Sequence, residues 1–251
     1  MNHWLVDSKK ETQLILLPLF VPVVLVMIFH DYFSTHHEVT TGWWLLLVLL
    51  IDVSHVYSTL FRFYWEKSTF QKYKRLLVII PLAAFVVALS LHLTDSFLFW
   101  RVLAYVALYH FIRQQYGFLR LYSRKQNQNK VERLIDSLAI YAGTLYPVLY
   151  WHLNLTDTLS WFVPNDFVRL DLAWLNVPSL VVYLIIIATY VIKEIIVARR
   201  SGFNVPKNAI VAGTFLSWYV GIVTFHGDLT FTLLNVVAHG VPYMGLVWLL
   251  W

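Results

Sequence analysis

The stretch Leu45-Leu-Leu-Val-Leu-Leu-Ile-Asp-Val-Ser-His-Val-Tyr-Ser-Thr-Leu-Phe-Arg62 decides the fold. It opens as an apolar run, then places Asp52, His55, Thr59 and Arg62 at spacings of three, four and three. On a helix that spacing draws one continuous polar stripe. A stripe of this kind facing lipid is prohibitive, so the sequence predicts that it faces the inside of a helical bundle.

Outward from this stretch, apolar runs near 20 residues recur along the whole chain. Each is long enough to cross roughly 30 Å of hydrocarbon. The 251 residues are 59% hydrophobic and only 13% charged, with a mean hydropathy of +0.63. A soluble helical core needs a charged face on every helix, and most segments here lack one. The expectation is an all-α, polytopic membrane bundle forming a single domain over 1–251. Eight spans are predicted at 12–34, 41–65, 74–94, 96–119, 131–154, 178–200, 207–226 and 229–251. The first begins after Glu11, has no small-residue cleavage site behind it and exceeds a signal core, so it reads as a retained helix.

The basic residues orient the bundle. With these spans, seventeen of the nineteen Lys and Arg fall on one side, and only Arg101 and Arg169 on the other. By the positive-inside rule both termini are cytoplasmic, and a bacterial inner membrane is the expected location. The net charge of +5 is absorbed by this asymmetry and does not point to nucleic acid. Membrane lipids are the partners implied, and the pattern says nothing of oligomeric state.

Between the spans, Ser123-Arg-Lys-Gln-Asn-Gln-Asn-Lys130 reads as a solvated loop. The segment 155–177, with Trp161, Trp174, Asp166 and Asp171, has the pattern of a short interfacial helix. Trp43, Trp44, Trp65, Trp100, Trp151 and Trp251 fall at span ends, as an aromatic belt requires. His226-Gly227-Asp228 makes the last two spans a tight hairpin.

Three histidines lie deep in apolar spans. Counted from the external ends, His55 is residue 15 of its span, His110 residue 15 and His239 residue 11. At 1.5 Å per residue these depths agree within about 6 Å. Asp52 is placed either to orient the His55 imidazole or to act as a ligand itself. His110 and Gln114 share a face, and Gly117 offers room for a close helix approach. Asn235, His239, Pro242 and Tyr243 share a face of the last span. Pro242 frees the Ala238 carbonyl there, Gly240 loosens the same turn, and broken backbone at membrane depth lines cavities. Arg62 and Arg113 stand toward the cytoplasmic ends, poised to snorkel, to hold a carboxylate or phosphate of a substrate, or to pair with Asp136. A second group, His30, His92, His152 and His226, sits at external span ends and leaves open a second site or a proton path. His36 and His37 read as loop residues, and His3 as disordered.

Cysteine is absent, which excludes disulfides, thiolate ligands, iron–sulfur clusters and covalently attached haem. No HExxH, Walker, GxGxxG or GxSxG motif occurs, nor the paired histidine boxes of membrane desaturases. The layout of single histidines dispersed over several helices is similar to that of the bacterial membrane oxygenases that cleave carotenoids. The expected function is a membrane metal-dependent oxidoreductase or oxygenase acting on a lipophilic small molecule. His55, His110, His239 and Asp52 would hold the metal, with Asp52, Arg62, Arg113 and Gln114 as catalytic candidates. Iron is the metal expected, with zinc as a variant. Two alternatives stand beside it. One is a proton-coupled transporter using Asp52 and the histidines as a relay and the arginines as a clamp, although no inverted repeat supports it. The other is a haem b protein with His55 and His110 as axial ligands.

Overall fold

The structure, a computed structural model, describes residues 3–155 and 161–250. Among these residues the chain is helical, with no strand. Eight long helices follow one another: α1 (Ser8–Ile28), α2 (Thr41–Tyr64), α3 (Lys67–Thr94), α4 (Ser96–Ser123), α5 (Lys130–Leu153), α6 (Ala173–Ser201), α7 (205–224) and α8 (Asp228–Leu250). Five of them, α1, α2, α3, α6 and α8, are long and apolar enough to cross a membrane. Their exposed leucines, isoleucines, valines and phenylalanines form a surface suited to hydrocarbon rather than water. The other three carry buried polar side chains, such as Gln115 on α4, Asp136 on α5 and Lys207 on α7.

Local chemistry sets the helix ends. Asp95 caps α4 by accepting from the Leu98 amide at 3.0 Å. Asn129 and Glu132 close a reciprocal capping box at the start of α5. Asn204 accepts from the Lys207 amide at 3.2 Å to start α7. Gly202, at φ 84° and ψ 160°, ends α6 in a positive-φ conformation that favours glycine. The first span predicted at 12–34 is instead two pieces, because Phe29 leaves helical geometry before a short helix His30–Thr35. The third starts seven residues earlier than 74. Lys72, Lys74 and Arg75 are unwelcome in hydrocarbon but are good helix formers, so the helix extends beyond its apolar run.

α8 is the hub: α1, α2, α4 and α7 all pack against it, while α5 packs between α4, α6 and α7. α3 lies outermost, against α4 and the last turns of α2, and buries none of its residues. The hairpin at His226-Gly227-Asp228 forms as expected, with His226 at φ 52°.

Several expectations are corrected. Trp151 belongs to the core rather than to a belt, packed at a tilt against Phe167 and Phe231; Trp251 lies outside the described residues. The loop after α4 is not simply solvated, since Gln126 and Gln128 turn inward and are buried. In the segment 155–177, residues 156–160 lie outside the described residues, and 161–172 form no helix. Asp166 is instead fully buried there and accepts from the amides of Trp161 and Phe162. His3 is buried rather than disordered, and a Cβ added at Gly117 would meet open space, so that glycine mediates no close contact.

Candidate functional site

His55 comes from α2, in an α-helical turn (Ser54–Thr59) set between two π-helical stretches, Leu45–Val53 and Leu60–Tyr64. The wider i→i+5 turns rotate the residues that follow them. This breaks the predicted polar stripe. Asp52 and His55 turn inward, but Thr59 bonds back to the Val56 carbonyl, and Arg62 is exposed and paired with Glu66 at 3.5 Å.

His110 projects from α4 and His239 from the middle of α8. One atom from each of His55, His110 and His239 lies within 4.8 Å of the other two, the single such group among the described residues. The Nε2 atoms of His55 and His239 are 2.9 Å apart. Ring centroids lie 4.9 Å apart for His110 and His239 and 6.1 Å for His55 and His110. His55 and His239 are buried, whereas His110 is exposed. The predicted convergence of three helices is therefore present.

The surroundings hold the rings in place. The Phe111 ring stacks on His239 with centroids 4.0 Å apart. Pro242 cannot donate to the Ala238 carbonyl, and Gln115 reaches across from α4 to bond it at 3.4 Å. Gln114 donates to the next carbonyl, that of His239, at 2.7 Å. These two glutamines fasten α4 to the turn that carries His239, so Gln114 is placed as a positioning residue. A Cβ on Gly240 would lie 2.8 Å from Ile51 Cγ2. Glycine there lets α2 and α8 approach closely enough for His55 and His239 to meet.

His239 Nδ1 is buried without a hydrogen-bond partner. Asp52 Oδ1 lies 3.3 Å from His55 Nδ1. A carboxylate on one ring nitrogen, with the other nitrogen facing a shared point, is how a ligating histidine is oriented.

Three imidazoles this close could hold a metal ion. Without one, the 2.9 Å between the Nε2 atoms of His55 and His239 is a direct hydrogen bond between the two rings.

The arginines expected at the site are engaged elsewhere. Arg113 donates to the Tyr141 hydroxyl and stacks over Tyr116 at 4.9 Å. Asp136, one of the partners offered to the arginines, instead bonds Lys193 and lies 3.7 Å from Lys207. The second group of histidines does not assemble among the described residues. His152 bonds Tyr105 at 2.8 Å and His226 bonds the Asn154 carbonyl at 2.8 Å, each as a local tie.

One polar cluster was missed from sequence. Asp136, Lys193, Glu194 and Lys207 form a buried charge quartet between α5, α6 and α7. Gln128 adds a bond to Asp136 at 2.6 Å, Asn208 one to Glu194 at 2.7 Å, and Lys207 one to Gln126 at 3.1 Å. Its available signal was Lys193-Glu194 interrupting an apolar span. Comparisons of this chain with protein-family models, curated proteins and solved structures found no match.

Proposed function

We propose that this chain is a membrane-embedded, metal-dependent oxidoreductase, in which His55, His110 and His239 hold one iron ion and Asp52 orients His55. The observation that carries this reading is the meeting of three imidazoles from α2, α4 and α8, each offering a nitrogen within 4.8 Å of the other two. Ionisable side chains at membrane depth are costly to keep and mark functional sites. The third imidazole also favours a compact ion over haem b. Its Nε2 lies beside that of His55, in the space a porphyrin between His55 and His110 would need.

The reading includes eight membrane spans with both termini cytoplasmic, in a bacterial inner membrane. An iron ion held by neutral nitrogen ligands, with positions left open, supplies redox and oxygen chemistry. The chain's own residues do the rest. Phe111 packs on His239 and keeps one side of the site apolar. His110 is exposed and Asp52 partly so, which opens the site sideways between α2 and α4. A lipophilic substrate entering from the bilayer suits that opening.

Elemental analysis with absorption spectra tests the proposal on purified wild type, His55→Ala, His110→Ala and His239→Ala. The expected result is one iron per chain in wild type and loss of metal in each variant, with helix content unchanged by circular dichroism. Zinc in place of iron would redirect the chemistry to hydrolysis. Metal-free wild type, or variants that keep their metal, would overturn the site.

A further inference from the structure

α6 and α7 do not pack closely along their outer faces. Between them runs a groove of about 1050 Å³, separate from the histidine cluster. Along α6 it extends from Leu180 to Arg199, about 28 Å at 1.5 Å per residue, close to the roughly 30 Å of a bilayer core. Its walls are aliphatic and aromatic, with Tyr183, Phe215 and Tyr219 among them. Only one end is charged.

That end carries Glu194 and Arg199. The Glu194 carboxylate is already held by Lys193, Lys207 and Asn208, and the quartet behind it sums to zero charge. Arg199 is exposed and forms no ion pair among the described residues, unlike its neighbour Arg200, which bonds Glu132 at 2.9 Å. One uncompensated cation thus stands at the mouth of a long apolar groove. A second groove, about 450 Å³ between α5 and α6, has no charged residue in its lining.

We propose that the α6–α7 groove is a binding site for one anionic phospholipid, with its acyl chains lying between the helices and its phosphate on Arg199. This rests on the chain being a membrane protein but not on the metal site. The match is one of shape and charge. Apolar walls take the tails, Arg199 offers a planar fork to phosphate oxygens, and basic pockets between helices at a cytoplasmic membrane face suit anionic headgroups.

The test is native mass spectrometry of the full chain released from nanodiscs of equal phosphatidylglycerol and phosphatidylcholine. Wild type should retain phosphatidylglycerol in preference. Arg199→Gln should lower that preference about fivefold, the effect of one basic contact, while Arg75→Gln on α3 leaves it unchanged. Ala212 is exposed within the groove, so Ala212→Phe should block the tails and remove the adduct whatever its headgroup. Wild type without headgroup preference, or a preference that survives Arg199→Gln, overturns the proposal. So does a dimer that Ala212→Phe dissociates, since a second copy would then fill the groove. A chain that never enters the nanodisc fails at the membrane reading instead.

Discussion

The histidine cluster and the charge quartet are both polar groups buried in an apolar bundle, and they are finished differently. In the quartet two lysines face two carboxylates, and Gln126, Gln128 and Asn208 take up further bonds. The histidine cluster has three imidazoles and one carboxylate, with no cationic side chain among them. A charge-balanced polar network locks helices together. A set of imidazole and carboxylate donors is one that a metal cation can complete. The contrast teaches which buried charge is scaffold and which is site.

The largest expected effect breaks the balanced side. Lys207→Met removes a fully buried cation and leaves Lys193 alone against two buried carboxylates, Asp136 and Glu194, which should cost about 3–5 kcal/mol. Thermal unfolding in detergent reads this, and the metal content of protein that still folds should be unchanged. Stripping metal from wild type with a chelator acts on the histidine side. It should remove about 2.7 kcal/mol of stabilisation when metal had been at a hundredfold excess over its Kd, and have no such effect on His239→Ala. If Lys207→Met and His239→Ala alter melting and metal content alike, the distinction between the clusters fails. Asp52→Asn sharpens it, since loss of the carboxylate behind His55 should weaken metal binding about 10–100-fold in a titration while melting of the metal-free protein stays put. Gln114→Ala is the smallest. Losing its bond to the His239 carbonyl should cost about 1 kcal/mol and loosen metal binding only slightly.

What was legible in the sequence follows from what is local. The eight helices and the spacing of Asp52 and His55 depend on residues within a few turns of each other. The common depth of His55, His110 and His239 was countable, because rise per residue is constant. Azimuth was not countable. Arg62 was expected on the same stripe, but the π-helical stretch Leu60–Tyr64 intervenes and turns it outward. Arg113 was left between snorkelling, a substrate anion and Asp136, and the Tyr141 hydroxyl takes it instead. The quartet stayed hidden because its members come from three helices whose facing sides no single segment encodes. Gly117 was read as room for a close helix approach and Gly240 as loosening its turn, yet of the two it is Gly240 that has a neighbour, Ile51, that a side chain would strike.

The sequence by itself determined a helical, largely apolar chain, the level of its ionisable residues along the helix axes, and the absence of thiol chemistry. Those properties come from hydrophobicity and helical period, which act within one segment. The tertiary structure alone decided that three imidazoles share a point, that two arginines do not join them, and that four buried charges cancel. Such meetings depend on how helices rotate and how closely they approach, and those are set by residues far apart in the chain.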